Sequence, residues 1–126
     1  MPSPPSRPTI LMVDDEPMIR ELGRTVLEQA GFTAVTADDG DTAVTAYEAH
    51  RPALVVLDVT MPRVSGREAF LLIRALDPTA RVLFSTGYTS EDVSSLSGPV
   101  GMLPKPYLPR DLLAAVRAAL PDAASA

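Results

Sequence analysis

An α/β fold, with a parallel sheet covered by helices on both faces, is predicted by three observations. Short aliphatic runs alternate with amphipathic stretches along the chain, five pairs in all, and that alternation marks β-α units. The central run, ALVVL, is apolar at every position, as expected of a strand buried on both faces. The chain has 126 residues, 46% of them hydrophobic, enough for one well-filled core and too few for a second.

The first strand is TILMV (Thr9–Val13). PMIRELGRTVLEQAG follows with Ile19, Leu22, Val26 and Ala30 at helical spacing. Pro17 suits the first turn of that helix and Gly31 the position just past its end. FTAVTA (Phe32–Ala37) is the second strand, and DTAVTAYEAH is a short helix with Ala43, Val44 and Tyr47 on one side. ALVVL (Ala53–Leu57) is the third strand. SGREAFLLIRAL opens with Ser65 and Glu68 at capping-box spacing and continues as an amphipathic helix. RVLFST (Arg81–Thr86) is the fourth strand, TSEDVSSLSG a weak, short fourth helix, and VGML (Val100–Leu103) the fifth strand. PRDLLAAVRAALP closes the chain with Leu112, Val116 and Leu120 in one stripe. Residues 1–8, rich in Pro and Ser, read as a disordered N-terminal tail, 9–120 as the folded domain, and 121–126 as a frayed C-terminal tail.

Composition narrows the function. A formal net charge of -5 argues against direct nucleic-acid binding. The absence of cysteine rules out disulfides and thiolate metal sites. No apolar run approaches the ~18 residues of a membrane span, so a membrane location is not expected and a cytoplasmic one is.

In a sheet of this kind ligands collect outside the carboxyl ends of the strands. Strand one ends in Asp14 and Asp15, strand three in Asp58, and strand four in Thr86 and Gly87; strand five leads into Lys105 and Pro106. Three acids, a hydroxyl and an amine, far apart in sequence, therefore meet at one edge. Carboxylates so close repel one another, and a hard divalent cation, Mg²⁺ or Mn²⁺, fits an oxygen-only ligand set. Such a cation, with Lys105, offsets charge on a transferring phosphoryl group. Phosphoryl transfer onto an aspartate is the chemistry implied.

The segments VDDEP, LDVTMPRVSG, FSTGY and LPKPY, in that order and at those strand ends, resemble the receiver domain of bacterial two-component response regulators. The resemblance covers about residues 9–120. It implies a flavodoxin-like, doubly wound sheet of five strands in the order 2-1-3-4-5 with five helices. It implies a signalling domain rather than an enzyme, with Asp58 as phosphoacceptor from a histidine kinase or histidine phosphotransfer protein. It also implies Mg²⁺ held by Asp14, Asp15, Asp58 and the backbone carbonyl of Thr60. Thr60, Gly87, Thr86 and Lys105 would attend the phosphoryl group, the Lys105–Pro106 bond would be cis, and a downstream protein target would receive the signal. The chain departs from the family at Met102, where an aromatic residue is usual. The stretch from Thr86 to Lys105 is also short, which predicts a short or irregular fourth helix. Output is therefore expected through movement of the loop at Gly87 and that helix, with no aromatic swing. A stand-alone regulator and a receiver from a hybrid kinase both fit.

Other readings have specific weaknesses. An acid after a first strand commonly caps the next helix, Thr86 alone is an ordinary strand-end hydroxyl, and His50 and the arginines Arg20, Arg24, Arg63 and Arg67 are most simply solvated. A phosphatase of the haloacid dehalogenase type needs a second Asp two residues after the nucleophile, where this chain has Thr60. A flavodoxin-like FMN carrier needs a Ser/Thr-rich loop after strand one, where this chain has DDEP.

Overall fold

The computed structural model describes residues 8–59, 61, 64–86 and 100–120. Among them are strands β1 (Thr9–Val13), β2 (Thr33–Ala37), β3 (Leu54–Asp58), β4 (Val82–Thr86) and β5 (Gly101–Pro104). Helices α1 (Pro17–Gln29), α2 (Gly40–His50) and α3 (Gly66–Leu76) are joined by a C-terminal helix, Pro109–Ala119. The strands form one parallel sheet in the order β2-β1-β3-β4-β5, as expected. The expected fourth helix (residues 89–98), both tails except Pro8, and the candidate site residues Thr60 and Gly87 lie outside the described residues.

The local signals act as their chemistry requires. Ser65 and Glu68 form a capping box at the start of α3, satisfying backbone donors that have no partner within the helix. Gly31 follows α1 at φ 98, a conformation costly for other residues. The Lys105–Pro106 bond is cis.

Side chains alternate across the strands, so the sheet carries two cores. Leu11, Val13, Val55, Leu57, Val82 and Phe84 pack with α2 and α3. Ile10, Met12, Leu54, Val56, Leu83 and Leu103 pack with α1 and the C-terminal helix. β3 is buried at every position, the outcome its apolar run predicted.

The stripe expected on α1 needs one correction. Leu22 is exposed, and the buried residues are Gly23, Val26 and Leu27. A Cβ on Gly23 would lie 2.7 Å from the Met12 Cε atom. The helix thus packs closely on β1 at a residue with no side chain, and that approach turns Leu22 outward.

Candidate functional site

Strand register delivers the site. Val13 pairs with Leu57 and Asp58 with Ser85, while Ser85 pairs with Leu103 and Thr86 with Pro104. Asp14, Asp58, Thr86 and Lys105 therefore leave the sheet at one level, although Asp14 and Lys105 are 91 residues apart in sequence. The alternation that sends Met12, Val56 and Leu103 toward α1 and the C-terminal helix continues to Asp14, Asp58 and Lys105, so the three share a face.

Lys105 joins them. Its Nζ donates to Asp14 Oδ2 at 2.8 Å and lies 3.5 Å from Asp58 Oδ1. Its backbone N–H donates to the Thr86 carbonyl at 2.7 Å, which ties the turn after β5 to the end of β4. Burial by itself would lower the ammonium pKa. The hydrogen bond it donates to Asp14 and the fields of Asp58 and Asp14 overcome burial and hold it above its ordinary value. Asp14 is 0% exposed and Asp58 4%, so neither charge is neutralised by water, and each depends on a partner.

The loop after β1 is equally constrained. Asp14 Oδ1 accepts from the Glu16 N–H at 2.9 Å, and the Asp14 carbonyl accepts from Arg20 Nη1 at 2.8 Å. The residue that caps α1 is Glu16, with no side-chain cap bond, so neither Asp14 nor Asp15 serves as a helix cap. Arg20, expected to be a solvated charge, instead fastens α1 to the acid loop. Arg24 meets the expectation of a surface charge, pairing with Glu21 and Glu28. Arg63 lies outside the described residues.

Carboxylate oxygens of Asp14, Asp15 and Glu16 lie within 4.8 Å of one another. Asp58 stands outside that group and is linked to it through Lys105. Glu16 was absent from the sequence-derived set, although its position beside the acid pair in DDEP was the available signal. Thr86 closes β4 and is buried. On the other face of the sheet Met102 pairs in register with Phe84 and is 37% exposed.

Gly66 sets the path beyond Asp58. Its N–H donates to the Val59 carbonyl at 3.0 Å. A Cβ there would stand 2.7 Å from Val59 Cα and closer still to the Asp58 carbonyl oxygen. Only glycine lets α3 start so close to the exit of β3. Two more polar groups belong to this region and were missed from sequence. The hydroxyls of Ser85 and Tyr107 are buried without a hydrogen-bond partner among the described residues. Burial first, then the charges of Asp14 and Asp58, push the Tyr107 phenol up to about 12.

A family model described as the response regulator receiver domain matches residues 10–117. The chain is 35% identical over 116 residues to the DNA-binding response regulator MtrA of Mycolicibacterium smegmatis, covering 90% of this chain and 51% of that protein. It is 40% identical over 114 residues to the response regulator MprA of Mycolicibacterium vanbaalenii, covering 88% and 49%. The chain thus spans about half the length of the curated relatives it matches. Among solved structures, the chemotaxis protein CheY4 of Vibrio cholerae superposes with a TM-score of 0.85 at 28% identity, covering 91% of this chain and 100% of that one. A CheY-like receiver domain protein of Methanospirillum hungatei gives 0.84 at 29% identity, covering 89% and 92%. No helix among the described residues is long and apolar enough to cross a membrane. With a matching family model over most of its length and the fold of those structures, the chain belongs to the response regulator receiver domain family of two-component signalling.

Proposed function

We propose that this domain is a phosphoacceptor switch in which Asp58 takes a phosphoryl group from a phosphohistidine on a histidine kinase or histidine phosphotransfer protein. The observation that carries this reading is Lys105, whose ammonium reaches both Asp14 and Asp58 at 2.8 and 3.5 Å. It stands beside the buried carboxylate at the end of the central strand, a cation able to follow new negative charge.

An Asp58 oxygen attacks phosphorus. The P–N bond to the imidazole breaks, its electron pair returns to the ring nitrogen, and that nitrogen takes a proton from water. An acyl phosphate remains on Asp58. Lys105 then pairs with the phosphoryl oxygens, and the Thr86 hydroxyl, the Gly87 N–H and the Thr60 backbone take the other positions around them. Asp14, Asp15 and Asp58, with Glu16 alongside and the Thr60 carbonyl, would hold Mg²⁺ (or Mn²⁺); the donors are all oxygen, as a hard cation requires. When bound, such an ion offsets charge on the transferring oxygens. The domain modifies itself and turns over no external substrate, and it works where a kinase and its ATP are found, in the cytoplasm.

The signal goes to a downstream protein surface. In a longer regulator like the relatives named above, one of them called DNA-binding, output would run through a further domain. The acidic charge of -5 bears only on nucleic-acid contact by these residues.

Acetyl phosphate with Mg²⁺ should add one phosphoryl group to the chain by intact mass, and Asp58→Asn should remain unlabelled. Equal labelling of Asp58→Asn would show that another residue accepts the group.

A further inference from the structure

Asp14 is gripped from three other elements of the fold. Its N–H donates to the Ala37 carbonyl of β2 at 3.2 Å, its carbonyl accepts from Arg20 Nη1 of α1 at 2.8 Å, and its Oδ2 accepts from Lys105 beyond β5 at 2.8 Å. Asp15 is exposed, and its carboxylate has no bond among the described residues. The direction of Asp15 therefore depends on the main chain that leads into it. A peptide unit is planar, so the bond that fixes the Asp14 carbonyl also sets the Asp15 N–H and the course of the chain into Asp15.

Ordinary helix capping does not secure this loop. Glu16 caps α1 with no side-chain cap bond, and Pro17 in the first turn brings no N–H. Arg20, one turn further on and half-buried, makes the link instead, with a planar fork of donors whose geometry is fixed. The link has a load to bear. Carboxylate oxygens of Asp14, Asp15 and Glu16 lie within 4.8 Å of one another, and like charges so close push apart.

Arg20 bears on a cation at these acids in two opposed ways. Its charge repels the cation, while its bond to the Asp14 carbonyl keeps the acids gathered before the cation arrives. We infer that the bond outweighs the charge, and that Arg20 is a positioning residue for the cation, holding the Asp14–Asp15 peptide so that the two carboxylates converge. The inference rests on the cation-assisted phosphoacceptor reading above. It gives α1 a part in the chemistry, because a displacement of the helix would move that peptide and loosen the site.

The test uses the whole 126-residue chain, with Mg²⁺ binding followed by isothermal titration calorimetry. Arg20→Met keeps the aliphatic stem and removes both charge and donors. It should weaken Mg²⁺ binding about tenfold, as loss of a group that orients a metal ligand does. Tighter binding would show that charge repulsion prevails and would overturn the proposal, as would a change of less than about twofold. Arg20→Lys restores one donor and should recover part of the affinity; binding as weak as in Arg20→Met would also overturn it. Arg24→Met, which removes a guanidinium paired with Glu21 and Glu28 on the same helix, should bind Mg²⁺ within about twofold of wild type, and an equal loss there would refute a specific role for Arg20. In acetyl phosphate labelling, the Mg²⁺ concentration at half-maximal rate should rise about tenfold in Arg20→Met, with the rate at saturating Mg²⁺ within about twofold of wild type. A slower rate at saturation would place Arg20 in the transfer step and overturn the positioning role. Without metal, Arg20→Met should melt within about 5 °C of wild type; a larger fall would make Arg20 a residue of the fold instead. A wild-type chain that binds no Mg²⁺ would overturn the cation in the reading above, and this inference with it.

Discussion

Gly66→Ala is the most direct test of how the backbone places Asp58. The added Cβ would lie 2.7 Å from Val59 Cα and 2.9 Å from the Asp58 carbonyl carbon. Ordinary carbon–carbon contact needs about 3.5 Å, so clearing Val59 Cα alone takes a retreat of about 0.8 Å, and the Asp58 carbonyl oxygen, nearer still, demands at least as much. The neighbours are main chain, so no side chain can rotate away. Overpacking of this kind costs about 3 kcal/mol at its upper range, and the entropy gained by replacing glycine returns up to about 1 kcal/mol. The net loss is about 2 kcal/mol. With an unfolding entropy of about 2.1 cal/mol/K per residue over this length, the melting temperature should fall by about 8 °C. The retreat also displaces the exit of β3, and a shift approaching 1 Å at a reacting group slows chemistry by about tenfold or more. Differential scanning fluorimetry and acetyl phosphate labelling read the two effects separately. Gly23→Ala is the control: its Cβ would meet the end of the Met12 side chain at 2.7 Å, which can swing aside. There the gain in helix propensity, about 1 kcal/mol, should leave stability within about 1 kcal/mol of wild type. Wild-type melting and labelling in Gly66→Ala, or an equal loss in Gly23→Ala, would refute the close-approach argument.

Removing Lys105 as Lys105→Met should cost about 3 kcal/mol, because buried Asp14 and Asp58 both lose the ammonium they share; chemical denaturation measures it, and adding Asp58→Asn should recover part of the loss. Mg²⁺ at about 10 mM, taken as tens to hundreds of Kd, should stabilise the fold by about 1–3 kcal/mol through linkage; Asp15→Asn should remove most of the resulting melting shift, and no shift in wild type would count against a cation at the acids. Stability should decline from about pH 10 upward. The Tyr47 phenol is pushed up to about 12 by burial and by its bond to Asp77, so the unfolded chain ionises first and gains as pH rises between those values. Lys105, burial notwithstanding, is raised by Asp14 and Asp58, so its contribution is complete below its unfolded value and is lost as pH climbs through the folded one. Tyr47→Phe should flatten the alkaline slope of a pH-resolved denaturation series, and an unchanged slope would contradict the assignment.

Much of this protein is local, and local features are legible in a chain. Five strands, the helices α1, α2 and α3 and the C-terminal helix follow from period and turn chemistry. The Ser65–Glu68 capping box, Pro17 in the first turn of α1 and Gly31 after its end involve residues close together in sequence. The residues at the strand ends could likewise be named, because a strand's direction decides which residue leaves it last. The strand order 2-1-3-4-5 came from family resemblance, since alternation alone is compatible with several orders. Relations between segments needed the tertiary structure. Leu22 fits the helical period of α1 as well as its buried neighbours do, but the approach of Gly23 to Met12 turns it to solvent. Arg20 looks like any surface arginine until α1 packs over the acid loop and offers it the Asp14 carbonyl. The acids do not form one group: Glu16 joins Asp14 and Asp15, while Asp58 is reached through Lys105. The burial of the Ser85 and Tyr107 hydroxyls without a partner among the described residues is invisible in a string of letters. Whether a polar group has a partner depends on what a distant strand or helix brings to it, and burial decides how much that partner matters.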